Sequence, residues 1–464
     1  MSAQLTDTTI PGFTEADIDA LIARSDAPQW LAERRRTAWR TYVAMDLPDP
    51  GDEEWRRTDV RAMRFDGARL ATAATPASGD AAPRDRSLAG EILQRDADAV
   101  SVQLDPELAA RGVILCDLHI AAREHEELLK RYLSDAVRPS EWKFVALNAA
   151  LWSGGCFLYV PKGVEVALPV QLSTSMSADG LAVFPHTIIV AEANSKVTFV
   201  DETRSPDVGP LSPQPPLPQE EKGSHGFVSG AVEIYVGDGA KVDYYSINRW
   251  GGGVNNFNTV RAILGRDAEF LAMAAGIGSK VTKMRIDAEM PQAGARVTLL
   301  GVTFGDGSQH FDYNTLQNHV GKSTISDLQF KSALTDSASL VWYGITRINE
   351  TAGGSEANQT SRNLLLSEHA KAAPIPILEI KAHDVSKCSH GATVGPVDEN
   401  ELFYLQARAI PRDVAERMLV EGYFASVVDR IPNAALRARI MTAMLAKAGG
   451  GAGTLTYDEV IAAK

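Results

Sequence analysis

A repeated interval in the middle of the chain limits the folds that this sequence can adopt. From about residue 193 to residue 395, short segments alternate apolar and polar residues, and each follows a turn of small or polar residues. The small residues Ala240, Ala268, Ala295 and Ser323 recur at a nearly constant interval, and a further segment starts about half an interval later at Ala338. Such a regular interval is typical of a solenoid, whose units bury their apolar sides only by stacking on their neighbours.

The repeated segments indicate strands rather than helices. They alternate with a period of two and favour Val, Ile, Thr, Phe and Tyr. We therefore predict a mainly β fold with a β-helix (solenoid) core. The turns are rich in Gly, Asn, Asp and Ser, which tolerate the left-handed backbone that the corners of such a coil need. An antiparallel sandwich would also give short strands with Gly turns, but the constant interval favours the coil.

The sequence predicts three regions, with the β-helix core between two α-helical ones. Residues 1–140 form an N-terminal helical and mixed region, with helices expected within 14–45 and near 121–133 and a linker near 71–85. Residues 141–397 hold the core. Six prolines between residues 203 and 230 predict a surface insertion there. Residues 398–464 form a C-terminal helical region.

Two apolar stripes at helical spacing define the C-terminal region. One runs from Val414 to Ile431 and the other from Leu436 to Leu445, and Pro432 separates them. Amphipathic helices of this kind could cap the open end of a solenoid or dock a partner protein. The pattern alone favours neither alternative.

Composition restricts the partners and the compartment. Forty-six Lys and Arg stand against 59 Asp and Glu, a net charge of -13, which argues against nucleic acid as the main partner. Three scattered cysteines suit a reducing compartment rather than a disulfide framework. We see no signal peptide and no membrane-spanning run in the sequence, and we expect a cytoplasmic protein.

The sequence contains no motif for a catalytic site. Gly321, Lys322 and Ser323 resemble the end of a phosphate-binding loop, but Leu316 stands where the first glycine of that loop is needed. His310 and His319 lie on predicted strands, where a histidine is more often a hydrogen-bonded core or surface residue than a metal ligand.

The segment 385–395 contains the candidate metal ligands. In an extended strand, Cys388 and His390 would point to the same face. A thiolate and an imidazole side by side suit iron, zinc or an iron–sulfur cluster. Two ligands do not complete a site, so others would have to come from His383, Asp384, solvent or a second chain. The alternative is an incidental Cys-x-His on a half-buried strand.

The same segment resembles a known family. Residues 387–395, followed by 401–408, are similar to the C-terminal signature of the SufB/SufD family of iron–sulfur cluster assembly proteins. The likeness covers roughly residues 140–430, and it includes the segments 152–163, 363–367 and 378–380. The string Cys-Ser-His-Gly-Ala-Thr-Val-Gly is the most specific part.

Within this family, the chain is most similar to the SufD branch. Residues 54–59 and the Cys-Ser-His-Gly form of the signature are the basis for this comparison. SufB-type chains carry an acidic residue where this chain has Gly391. They also use a cysteine on an earlier strand, whereas no cysteine occurs here between Cys156 and Cys388.

The resemblance implies a right-handed parallel β-helix in a non-catalytic scaffold subunit. It implies pairing with SufB through the C-terminal end of the β-helix, and binding of the SufC ATPase through the C-terminal helices. His390 matches the family's histidine at the SufB–SufD interface, where a cluster is built, and Cys388 stands beside it. We expect no tightly bound cofactor, only a transient iron or iron–sulfur cluster shared with SufB.

Two alternatives remain at this point. The first is a SufB-like scaffold, possible as a homodimer, that holds a cluster itself through Cys388. The second, more remote, is a β-helix enzyme acting on polysaccharide. Such an enzyme would need neighbouring acidic residues on the solenoid face and export from the cell, and the sequence shows no sign of either.

Overall fold

We analysed a computed structural model, which describes residues 12–63, 68–71, 85–178, 180–205 and 226–448. The α-helices in these residues are α1 (Glu15–Arg24), α2 (Gln29–Ala44), α3 (Pro106–Ala110), α4 (Leu118–Glu124), α5 (Glu126–Tyr132), α6 (Lys143–Leu151), α7 (Glu399–Gln406), α8 (Arg412–Val428) and α9 (Ala434–Lys447). The first eleven strands are β1 (Arg69–Leu70), β2 (Gly90–Arg95), β3 (Asp98–Leu104), β4 (Ile114–Asp117), β5 (Gly155–Val160), β6 (Val170–Ser175), β7 (Leu181–Val183), β8 (His186–Ala191), β9 (Lys196–Arg204), β10 (Phe227–Val236) and β11 (Lys241–Arg249). The remaining strands are β12 (Asn255–Leu264), β13 (Glu269–Gly276), β14 (Val281–Met290), β15 (Arg296–Gly305), β16 (His310–His319), β17 (Ile325–Leu334), β18 (Ser339–Ile348), β19 (Glu356–Leu365), β20 (Lys371–Ile380) and β21 (Lys387–Pro396).

The strands form two long, mainly parallel sheets, and from β8 onward successive strands alternate between them. The first sheet has the order β20-β18-β16-β14-β12-β10-β8-β5-β4, and the second has the order β21-β19-β17-β15-β13-β11-β9-β6-β2-β3. From β8 onward, every strand pairs in parallel with the strand two positions along the chain. Each turn of the coil therefore contributes one strand to each sheet. This confirms the predicted parallel β-solenoid between helical regions.

The predicted interval corresponds to one turn of the coil. Ala240, Ala268 and Ala295 are fully buried and stand directly before strands of the second sheet. The start at Ala338 belongs to the first sheet, which explains why it follows after only half an interval. At the fourth repeat, the buried position before the strand is held by Thr324, so the register assigned to Ser323 was off by one residue.

The corners of the coil use left-handed backbone, as their composition predicts. The residue two positions before the strand has a positive φ at Gly239 (65°), Asp267 (53°), Gly294 (76°), Ser323 (54°) and Gly354 (72°). Glycine, aspartate and serine reach this region with little steric cost or with local hydrogen bonding. Ser323 thus makes a corner rather than part of a phosphate-binding loop.

The C-terminal helices lie on the side of the coil. The apolar stripe of α8 and α9 packs on the outer face of the second sheet, where Phe424 and Ile440 join one buried cluster with Leu300 and Val302. The apolar stripe is thus buried against the wall of the coil. The apolar stripes of these two helices therefore neither cap the open end of the solenoid nor remain free to dock a partner.

The outer face of the first sheet is covered from the N-terminal side. Phe144 of α6 stacks on Phe257 of β12 with ring centroids 4.0 Å apart. The helix predicted over 121–133 is divided into α4 and α5, because His125 has non-helical backbone angles (φ -127°, ψ 37°). Strands β2 and β4 precede residue 141 and extend the two sheets at their N-terminal ends.

Parts of two predicted segments lie outside the described residues. Of the linker near 71–85, residues 72–84 are not described, and of the insertion at 203–230, residues 206–225 are not described. Strand β9 continues to Arg204 and β10 begins at Phe227, so both ends of the predicted insertion belong to the sheets. In the part of the chain that the structure covers, no helix is both long and apolar enough to cross a membrane.

Candidate functional site

The last turn of the coil presents two open strand edges. Strand β20 pairs with β18 and β21 pairs with β19, and no strand among the described residues pairs with their other edges. Ile380 on β20 and Val394 on β21 are 46% and 41% exposed. A free edge of this kind offers a row of N–H and C=O groups to an incoming strand. This end of the solenoid is therefore suited to pairing with another chain.

Cys388 and His390 lie on β21, in the row of residues that continues the interior face of the coil. In the parallel register, Cys388 is opposite Ala357 and His390 is opposite Gln359. Both partners on β19 are buried, at 2% and 0% exposure. The shared face predicted for Cys388 and His390 is therefore confirmed. Because β21 is the terminal strand, the ring of His390 is exposed rather than enclosed.

Cys388 is the more shielded of the two candidate ligands. It is half-buried and packs against a small apolar cluster of Ile348, Ala352, Ala357 and Ala382. This partial burial raises the pKa of the Cys388 thiol above its usual value. The thiolate, which binds metal, is thus less populated at neutral pH than for a free cysteine.

The other candidate donors do not complete a site within this chain. His383 and Asp384 are exposed and lie in the connection between β20 and β21. Across the described ranges, no group of three or more His, Cys, Asp or Glu side chains is arranged to hold a metal ion. Cys156 is fully buried, and burial raises the pKa of Cys116 to about 12. The donors Cys388 and His390 fit part of an iron or cluster site, and solvent or a neighbouring chain would have to supply the rest.

A polar row runs through the coil interior just before the open end. His319 contacts Thr324 and Ser326 through its two ring nitrogens, at 2.8 and 2.7 Å. Gln317 donates to Ser326 at 2.8 Å and accepts from Thr346 at 2.9 Å. The interpretation of His319 as a hydrogen-bonded core residue is thus confirmed. The interior of the last turns therefore holds polar side chains beside apolar ones such as Phe330 and Trp342.

A second chain of hydrogen bonds fixes β21 from the outside of the coil. Ser389 donates to Asn358 at 2.8 Å, and Asn358 donates to Asp327 at 2.8 Å. Asp327 in turn forms an ion pair of 2.6 Å with Arg430, which follows α8. The strand that carries Cys388 and His390 is therefore tied to two preceding turns and to the C-terminal helices.

The residues that support the site were not found from the sequence. Gln359 and Asn358 precede His390 and Ser389 by one full turn of the coil and share their register. This last turn is longer than the interval between Ala240, Ala268 and Ala295. If the earlier interval is applied to this last turn, it places the residues opposite Gln359 and Asn358 too early in the chain. The greater length of this last turn is recorded in the sequence, but it can be recognised only when the strand register is known.

Helix α7 exposes aromatic side chains close to the end of the coil. Phe403 and Tyr404 are 71% and 58% exposed, and the Arg408 guanidinium lies 3.7 Å from the centre of the Tyr404 ring. Exposed aromatic residues beside an arginine are typical of contact surfaces between proteins. The surface of Phe403, Tyr404 and Arg408 is called the α7 patch below.

Comparison with known proteins connects this geometry to a family. Residues 174–423 match the family described as "SUF system FeS cluster assembly, SufBD core domain", and residues 97–172 match "SufBD protein N-terminal region". The chain belongs to the SufB/SufD family. The core match begins in β6, spans the coil and the open end, and ends in α8.

Individual relatives include both branches of this family. The chain is 32% identical to the iron–sulfur cluster assembly protein SufD of Bacillus subtilis over 415 residues, which cover 87% of this chain and 91% of that protein. It is 26% identical to SufB of the same organism over 439 residues, covering 91% and 90%. A SufBD family protein of Staphylococcus saprophyticus is 27% identical over the same coverage of 91% and 90%. The SufB/SufD chain described here is thus an iron–sulfur cluster assembly protein.

Proposed function

We propose that this chain is a SufD-like, non-catalytic subunit of a scaffold formed with SufB-type and SufC-type proteins. The observation that carries the proposal is the open last turn of the coil, on which an exposed imidazole and a half-buried thiol share one face. An incomplete donor set at a free strand edge suits a site shared between two chains. ATP hydrolysis would belong to the SufC-type partner.

His390 is the principal donor in this proposal. Its ring is exposed, and an imidazole nitrogen is a common ligand of iron. Cys388 is secondary, because desolvation raises the pKa of its thiol and disfavours the thiolate. Iron or a nascent cluster is cargo at this site, held transiently between this chain and SufB, in the cytoplasm. No tightly bound cofactor is part of the proposal.

The SufB-type partner would bind at the free edges of β20 and β21. Backbone groups on these edges can extend both sheets into the partner, and Ile380 and Val394 add apolar area to the contact. This arrangement puts His390 directly at the boundary between the two chains. A second copy of this chain could use the same edges, which would give a homodimer in isolation.

The SufC-type ATPase would dock on the C-terminal helical region through the α7 patch. The apolar stripes of α8 and α9 are occupied by the coil, so they offer little free apolar surface. Phe403 and Tyr404 are the large exposed hydrophobic residues of this region in the described part of the chain. Docking here would leave the wall of the solenoid undisturbed.

Co-purification with both partners tests the proposal. The full chain is co-expressed with a SufB-type and a tagged SufC-type protein, and the recovered ratios are measured. Ile380→Lys with Val394→Lys should reduce SufB recovery about tenfold, because charge on an edge strand opposes pairing. Phe403→Ala with Tyr404→Ala should reduce direct binding to SufC by a similar factor.

The matched control for the edge variant is Val100→Lys on β3. Val100 is 42% exposed, like Val394, but lies at the other end of the second sheet. This variant should retain both partners. Full SufB recovery with the edge variant would contradict pairing through the last turn. A stable cluster on the lone chain after anaerobic reconstitution would instead favour the SufB-like homodimer.

A further inference from the structure

Gln359 bridges the two sheets at the open end of the coil. Its side chain is fully buried, and its amide nitrogen Nε2 donates to the backbone oxygen of Ile377 at 3.2 Å. Gln359 belongs to β19 and Ile377 to β20, so this contact spans the interior of the coil. Because this hydrogen bond holds the amide nitrogen, it also fixes the orientation of the amide oxygen Oε1.

The amide oxygen of Gln359 has no hydrogen-bond partner within the described residues. Gln317, the other interior glutamine near this end, differs in this respect. Its oxygen accepts from Thr346 and its nitrogen donates to Ser326. A buried acceptor left unpaired is costly and rare in folded proteins. Gln359 therefore has an unpaired hydrogen-bond acceptor next to the candidate ligands.

His390 is the neighbour that can use this acceptor. It is opposite Gln359 in the parallel register of β19 and β21 and continues the same row of side chains. Neighbouring strands lie about 4.8 Å apart, so side chains aligned in such a row contact each other. On its other side, β21 has no partner strand in the described part of the chain, so the ring of His390 is free to turn towards Gln359.

We propose that Gln359 Oε1 accepts a hydrogen bond from one ring N–H of His390 and so positions the ring. A histidine that binds metal through one nitrogen usually donates its other N–H to an oxygen acceptor, which fixes the tautomer and the orientation of the ring. Gln359 is thus a positioning residue rather than a ligand. Its role towards iron rests on the proposed function, but the proposed hydrogen bond needs neither metal nor partner and would form in the free chain once the ring of His390 turns towards Gln359.

The hydrogen bond can be measured on the full chain without metal or partner. Histidine ring N–H groups are observed by NMR after ¹⁵N-histidine labelling, and the His390 signal is identified by its loss in His390→Ala. We expect a ring N–H of His390 that exchanges slowly with water, since an exposed imidazole without an acceptor exchanges rapidly. In Gln359→Met, which keeps the length but removes the acceptor, exchange should become about tenfold faster.

Two further variants separate positioning from general effects on the core. Gln359→Glu restores an oxygen acceptor and should keep the N–H protected. Gln317→Met removes an interior amide that is not opposite His390, and it should also leave the signal unchanged. An unprotected N–H in the native chain, or full protection in folded Gln359→Met, would overturn the proposal. Neither result would affect co-purification with SufB or SufC, which tests the proposed function separately.

Discussion

At the scale of single residues, desolvation favours the neutral ring of three histidines, His119, His310 and His319. Burial lowers the pKa of His319 to about 4 and that of His119 to about 3, and it also lowers the pKa of His310. A lowered pKa means that the folded state disfavours the charged ring. Above about pH 6.5 the rings are neutral in both states and the stabilisation is complete. As the pH falls, the unfolded chain gains protons first, and stability is lost.

His319 offers a direct test of this pH dependence. Between about pH 6.5 and pH 4, its protonation in the unfolded state should remove up to about 3 kcal/mol from the free energy of unfolding. His319→Gln cannot be protonated, so its stability should fall less steeply over the same range. Denaturant unfolding at several pH values measures the difference between the two proteins. The exposed His369→Gln serves as the control, and equal slopes for native chain and His319→Gln would contradict the assignment.

The candidate ligands illustrate what residue patterns can predict. The alternation of side chains along a strand was enough to place Cys388 and His390 on one face. It could not show that β21 is terminal, which leaves His390 exposed and Cys388 half-buried. Gln359 was missed because its importance depends on register across a whole turn of the coil, a contact that no local pattern contains.

At the scale of elements, an N-terminal segment is fastened to the first sheet by polar contacts. Thr58 donates to the carboxylate of Asp312 and lies 2.8 Å from Nε2 of His310. Lys283 contacts the same carboxylate at 2.7 Å and the backbone oxygen of Glu54 at 2.7 Å. Its ammonium group also lies 4.4 Å from the centre of the Trp55 ring. Residues 54–59, noted for their family resemblance, therefore have a structural role: they anchor the N-terminal segment to the first sheet.

Substitution of Thr58 tests this fastening. Thr58→Val keeps the shape of the side chain but leaves the buried Asp312 carboxylate without one of its donors. We expect a loss of about 1–3 kcal/mol in the free energy of unfolding, measured with denaturant. Thr41→Val is the matched control, because the half-buried Thr41 donates its hydroxyl to the carbonyl of Thr37 in the same helix. Loss of this hydroxyl should change stability by less than about 0.5 kcal/mol. Equal effects of the two substitutions would contradict a special role for Thr58.

The helices show where local patterns succeed and where tertiary packing decides. Helical spacing predicted α1, α2, α8 and α9 from their apolar stripes. The helical spacing did not show which surface those stripes would cover. The same apolar stripe could pack on the wall of the coil, on its end or on a partner protein. The division between α4 and α5 at His125 also lacks a Gly or Pro that would mark it.

At the scale of the whole molecule, the solenoid was the most predictable feature. Its repeat follows from stacking of similar units, so the sequence records it at every turn. The two ends are different. The N-terminal end of the second sheet finishes with an antiparallel hairpin of β2 and β3. The C-terminal ends of the two sheets finish with the parallel strands β20 and β21, whose outer edges pair with no strand among the described residues. This difference supports our proposal that a partner chain binds at the C-terminal end, with His390 at the contact.

The most direct test of this account asks whether His390 binds the cluster. A complex is reconstituted in which only this chain contains ¹⁵N-labelled histidine, and the reduced, paramagnetic cluster is examined by electron–nuclear double resonance. We predict a ¹⁵N coupling to the cluster that disappears in His390→Ala and persists in the exposed-histidine control His369→Ala. A cluster without ¹⁵N coupling in the native complex, or a coupling that survives in His390→Ala, would contradict the account.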